Sequence, residues 1–187
     1  MENRDTNNPG NFASSMSLED VVRLLLSHRH RGTDTPKIKY GDLEGVSGAG
    51  SSGTNLRATK SSSQSVSSGS WTKITFDNTE WDENSEWDTT NSKFVVPEDG
   101  YYLISTSLGI SNPTAGYMYD IAIYKNGGEV RGCAIHSNST TNITPQITDV
   151  LKLSKDDYIE VYLYHNTGSS VNVQSNTYNT WITIKKV

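Results

Sequence analysis

With Cys133 as its single cysteine in 187 residues, the chain cannot form an intrachain disulfide, so its fold is held by a core, by chain association or by a metal. Long apolar runs are missing as well. The best, Val21-Val22 and Leu24-Leu25-Leu26, is interrupted by Arg23 and falls far short of the roughly 18–20 apolar residues that span a bilayer. Positive charge is scarce: 16 Lys and Arg against 21 Asp and Glu leave a formal charge of −5, which repels phosphate. The run His28-Arg29-His30-Arg31 is too isolated to reverse that, so nucleic acid and membrane insertion are not expected. Met1 to Asn8 has neither a basic nor an apolar region of the kind a secretory signal carries. The sequons at Asn138 and Asn142 are therefore read as chance in a chain rich in Ser, Thr and Asn.

Catalytic patterns are equally absent. His136 and His165 stand alone, Cys133 has no neighbouring His, and neither a Gly-x-Ser-x-Gly elbow nor a His-Glu-x-x-His motif occurs. Cys133 reads as a small buried residue rather than a nucleophile. The chain is expected not to be an enzyme.

What the sequence does contain divides into three parts. Residues 1–27 are an N-terminal anchor with one helical signal: Ser17 as N-cap, Glu19 and Asp20 in the first turn, and Leu18, Val21, Val22 and Leu25 on one stripe. So short a helix is unstable alone and must pack on something larger. Residues 28–54 form an extended connector that ends in the Gly/Ser-rich linker Gly45-Val46-Ser47-Gly48-Ala49-Gly50-Ser51-Ser52-Gly53. Residues 55–187 change to period two, the signature of half-buried strands.

Strands are expected around Trp71, Ile74 and Phe76, at Lys93 to Val96, Tyr101 to Ile110, Tyr119 to Lys125, Ile147 to Leu153, Tyr158 to Tyr164, Val171 to Val173 and Thr180 to Lys185. Pro97-Glu98-Asp99-Gly100 and Asn126-Gly127-Gly128 are turn signals between them. Many short strands punctuated in this way make an all-β antiparallel sandwich. If Ile159, Val161 and Leu163 fill that sandwich, Tyr162 and Tyr164 point outward from the same strand, and Tyr101 does likewise. Large rings with polar tips on an outer face suit a protein–protein interface; the alternative is tyrosine covering an ordinary exposed sheet. Asp77, Glu80, Asp82, Glu83, Glu86 and Asp88 fall in one loop with Trp81 and Trp87. A Ca²⁺ site or a ligand-binding rim built from Trp81, Trp87, Asp82 and Glu83 is one reading, and a solvated acidic loop with the tryptophans packed on the sheet edge is the other.

Several segments resemble the C1q/tumour-necrosis-factor-like domain, and bacterial and phage members in particular. They are Trp71-Thr72-Lys73-Ile74-Thr75-Phe76-Asp77, Phe94-Val95-Val96-Pro97-Glu98-Asp99-Gly100-Tyr101-Tyr102, Ile123-Tyr124-Lys125-Asn126-Gly127, Asp149 to Val161 and Trp181-Ile182-Thr183-Ile184. The resemblance implies a jelly roll, a homotrimer around a three-fold axis and binding rather than catalysis. In Ser154-Lys155-Asp156-Asp157 the family's glycine before the aspartate is missing, which leaves the turn type open. The connector from His28 to Ile38 is similar to a segment of phage tail and virion-fibre proteins. In an extended chain His28 and His30 point the same way, so three parallel copies would offer about six nitrogens to Fe²⁺ or another divalent metal; a solvated loop, or a loop bonding a capsid or tail partner, is the alternative.

These implications add up to a virion structural protein, either a phage fibre or a capsid or tail decoration protein. Residues 1–27 would dock on a capsid or tail protein, and the trimeric head would bind a host cell-surface molecule or glycan. A non-viral adhesion protein of the bacterial cell or spore surface is the alternative, and a glycan-acting enzyme is a distant third.

Overall fold

The computed structural model describes residues 53–187, all of them strand, turn or loop. The helix and connector expected before Gly53, with His28 and His30, lie outside the described residues. Fourteen short strands follow in order: β1 (Asn55–Thr59), β2 (Gln64–Val66), β3 (Thr72–Lys73), β4 (Asn78–Asp82), β5 (Trp87–Asp88), β6 (Lys93–Val95) and β7 (Gly100–Ser107). The second half contributes β8 (Ile110–Ser111), β9 (Met118–Lys125), β10 (Gly128–His136), β11 (Gln146–Leu153), β12 (Tyr158–His165), β13 (Val171–Val173) and β14 (Trp181–Lys186).

They pair, all antiparallel, into a front sheet of order β11-β7-β14-β1-β4 and a back sheet of order β10-β9-β12-β6-β5, with β3 added beside β12. A small third sheet runs β2-β13-β8. Neighbours in the sheets are distant in sequence: β1 pairs with β14, and β7 with β11 and β14. This is the crossed connectivity of a jelly roll rather than a meander.

Period-two alternation decides what lies between the sheets. Along β7, Tyr102, Ile104 and Thr106 are fully buried while Tyr101 is exposed. Along β12, Ile159, Val161 and Leu163 are buried between the partly exposed Tyr158, Tyr162 and Tyr164. Ile121 and Ile123 of β9, Ile182 and Ile184 of β14, and Phe76, Phe94 and Tyr119 complete one continuous core. Tyr102 can sit there because its hydroxyl donates to the Glu98 carbonyl at 2.8 Å. Buried His165 stacks on Tyr119, with Nε2 3.1 Å from the Val66 carbonyl and Nδ1 3.0 Å from Thr167 Oγ1, so it serves as a polar peg of the core.

Turn chemistry sets the registers. Asn126 and Gly127 both have positive φ, 53° and 79°, as a type I′ hairpin requires, and they fold β10 back on β9. In the turn before β12, Asp157 N–H reaches the Ser154 carbonyl at 3.1 Å and Asp156 takes φ 68°. An aspartate thus occupies the left-handed position where glycine was expected, and the Asp157 carboxylate accepts from Ser154 N–H at 2.8 Å.

Two expectations are corrected. The acidic segment is not one loop, because Asn78–Asp82 and Trp87–Asp88 are strands. β10 was not anticipated at all: it is an edge strand with no fully buried residue, so it carries no alternating apolar signal. Ile121→Ala removes a fully buried side chain at the middle of the core. It is expected to destabilise the domain by about 2–5 kcal/mol in urea unfolding, with the fold retained.

Candidate functional site

The described residues offer two outer faces and one acidic segment. On the front sheet the outward rows can be read from the register: Val150, Leu103 and Lys185; then Thr148, Ser105, Thr183 and Arg57; then Gln146 and Trp181 on either side of Ser107, which is itself covered. Tyr101 and Val150, at one side of this face, are 54% and 47% exposed, and Trp81, on the opposite edge strand, is 44% exposed. Arg57 organises one end. Its guanidinium lies 4.7 Å from the Trp181 ring centre and 5.7 Å from that of Trp81, and its Nε is 2.9 Å from Glu80.

The back sheet presents the other face. Trp71, just before β3, packs edge-on to Tyr124 (5.9 Å between ring centres) and tilted on Tyr164 (5.7 Å), while Tyr124 and Tyr162 lie 4.1 Å apart. All four rings are partly exposed. Ala122, which pairs with Tyr162 across the strands, is fully buried beneath them. Lys73 and Glu160 form an ion pair at 2.5 Å within this face, and Tyr162 hydroxyl donates to Glu160 at 3.3 Å.

Asp120 lies beside the rings, opposite Tyr164 on β12 and Ala134 on β10. Its Oδ1 is buried with no hydrogen-bond partner. Burial holds this carboxyl above the usual carboxylate range, although Cys133 N–H donates to it. Burial, and then the negative charges of Glu129 and Asp120, push the Tyr124 hydroxyl up as well.

The residues expected to form one interface are therefore divided. Tyr101 lies on the front face, and Tyr162 and Tyr164 lie on the back. The expected rim is divided too. Trp81 is at the surface, but Trp87 is buried with its Nε1 donating to the Phe76 carbonyl at 3.1 Å, and its ring packs on Phe76. Trp87 is thus a core residue, because the short strand β5 turns it inward against β6. Asp82 closes the turn ahead of it, accepting from Glu86 N–H at 3.0 Å and Trp87 N–H at 2.8 Å. Glu83 accepts from Asn55 at 2.9 Å. Both Asp82 oxygens thus cap the turn between β4 and β5. Among the described residues no three His, Cys, Asp or Glu are grouped to hold a metal.

Sequence reasoning missed Trp71, Tyr124, Asp120 and Glu129. Tyr124 carried a signal, since it alternates with Ile121 and Ile123 and so had to face outward. Glu129 carried none, because β10 itself was not recognised.

No family model matches the chain. Among curated proteins it is 31% identical over 103 residues to the uncharacterised protein YqcC of Bacillus subtilis strain 168, covering 52% of this chain and 28% of that protein. It is 28% identical over 109 residues to the phage-like element PBSX protein XkdV of the same strain, covering 54% of this chain and 16% of that protein. The chain thus matches about a quarter or less of either relative's length. Solved structures with a similar fold include the Eiger TNF of S. frugiperda (TM-score 0.56, 15% identity, 72% of this chain and 90% of that one) and murine APRIL at pH 5.0 (0.56, 13%, 72% and 99%). The globular domain of zebrafish complement 1qA protein is similar as well (0.52, 10%, 72% and 97%). The described residues adopt the TNF/C1q-like jelly roll. At such low identity the likeness fixes the fold alone.

Asp120 supplies a test. Its raised carboxyl favours the fold fully below the ordinary carboxylate range, and that contribution is lost as pH rises through the folded-state value. Asp120→Asn should therefore melt about 2–5 °C higher than the parent at pH 7, with the gain shrinking toward pH ~4. A gain of the same size at both values would trace the effect to hydrogen bonding rather than charge.

Proposed function

We propose that the chain is a structural component of a phage-type particle whose jelly-roll head associates as a homotrimer and binds a molecule of the host surface. The observation that carries the particle reading is the similarity to a phage-like element protein over about half of the chain. Binding rather than chemistry is supported by the content of the surface. Both sheet faces carry aromatic residues, and several acidic side chains are engaged in capping turns or in ion pairs.

The trimer reading is supported by the front face. A closed three-fold ring needs two different patches on each protomer, one to dock on the other. The front face with Tyr101, Leu103 and Val150 is one such patch. The other is the open edge between β10 and β11, where Val130, Cys133, Ile135, Ile143 and Ile147 are only partly covered and Arg131 pairs with Asp149 across the two sheets. On this reading the back-face tyrosines, Tyr162 and Tyr164, stay outside the protomer contact. Residues 1–27 would dock the trimer to a capsid or tail protein, and His28 and His30 would meet on its axis, where Fe²⁺ or another divalent metal fits their chemistry.

Light scattering after size exclusion should give about three times the chain mass of 20.6 kDa. Tyr101→Glu combined with Val150→Lys should reduce that to one chain mass while circular dichroism stays unchanged, whereas Tyr164→Ala should leave it at three. A monomeric parent would remove the trimer and the axial metal together.

A further inference from the structure

The back face has features that packing of the core does not use. Four aromatic rings, Trp71, Tyr124, Tyr162 and Tyr164, form one contiguous patch, and the strand beside them ends the sheet in small residues. Gly132 and Ala134 of β10 are exposed next to Ala122 and Asp120 of β9, which leaves a shallow floor beside the rings. Gly132 keeps that floor low. A Cβ built there would meet Glu129 Oε1 at 2.7 Å and Asp120 Oδ1 at 3.5 Å, so both carboxylates reach over the same spot.

The charge on this floor is not balanced. Glu160 is neutralised by Lys73, but among the described residues no Lys or Arg pairs with Asp120 or Glu129. Asp120 Oδ1 has no hydrogen-bond donor at all. Electron-rich ring faces beside two carboxylates without a counter-cation attract an organic ammonium group, by cation–π attraction and by charge. The rings are tilted or edge-on to one another, so they offer separate faces, each of which can accept the apolar face of a pyranose ring. A polyanion is disfavoured by the same charges.

We propose that the back face, with Trp71, Tyr124 and Tyr164 as the stacking platform and Asp120 and Glu129 as the anionic partners, is a binding site for an amino sugar bearing a free ammonium group. This names a ligand class for the adhesive role proposed above and rests on that role. It does not rest on the trimer, because every residue of the site belongs to one chain.

The test is calorimetric titration of the full chain with three soluble probes: a glucosamine tetramer, its fully N-acetylated counterpart and a lysine tetramer. The glucosamine tetramer is expected to bind, and the other two to bind about tenfold more weakly or not at all. Glu129→Gln, an exposed edge substitution that spares the core, should weaken the glucosamine tetramer about tenfold. Trp71→Ala should do the same, and Tyr178→Ala, which removes an exposed ring elsewhere, should change nothing. Absence of binding at about 1 mM glucosamine tetramer would overturn the site, as would affinity unchanged in both Glu129→Gln and Trp71→Ala. Equal affinity for the N-acetylated tetramer would overturn the ammonium requirement. Equal affinity for the lysine tetramer would reduce the effect to general charge attraction and overturn the sugar. The mass measurement above is read separately, so a monomer that binds glucosamine would refute the trimer and leave this site standing.

Discussion

Everything in this domain depends on one constraint: alternate residues of each long strand must enter a common core that no covalent link supports. With Cys133 alone and no metal cluster among the described residues, the two sheets are held by interdigitated Ile, Leu, Val and aromatic side chains and by the ladder between strands. The long strands β7, β9 and β12 each send three or four residues inward, so the loss of any one of these side chains is costly. Among the described residues few buried side-chain polar atoms go unbonded, Thr54 Oγ1, Glu86 Oε2 and Asp120 Oδ1 being the exceptions. Lys60, almost wholly buried, gives its ammonium to the Thr75 carbonyl at 2.6 Å, Thr75 Oγ1 at 2.8 Å and Gln64 at 3.1 Å, and burial lowers its pKa.

That constraint also determines what the surface can be. Once the inward set is fixed, the outward set follows by parity, and the chain has placed aromatic residues there in two separate groups. One parity rule explains both, yet the two groups face opposite ways. A residue's parity states only that it leaves the core, not which sheet it leaves from.

This is why the sequence was legible to different depths. β7, β9 and β12 could be read residue by residue, because each buries one complete apolar stripe and is bounded by a turn with its own chemistry, such as Asn126-Gly127. β10 was invisible, because an edge strand with polar flanks has no stripe to show. The acidic segment was misjudged for a related reason. Charge density suggested a loop, while its carboxylates serve the turn between two short strands and Trp87 goes into the core. The site residues needed the third dimension: Trp71, Tyr124, Asp120 and Glu129 come from three segments that only the register of β9 with β10 and β12 brings side by side.

The irregular β10 has a consequence for how the domain behaves in a crowd of its own copies. A straight, flat edge strand is a template on which another chain can extend the sheet. Here the pairing with β9 slips between Glu129 and Arg131, so the free side of β10 presents a bulge rather than an even row of amide and carbonyl groups. Charges of both signs flank that bulge, and Arg131 is tied to Asp149 on the neighbouring sheet edge. Open-ended strand addition is thereby discouraged, so the edge of the sheet does not recruit further copies through its backbone.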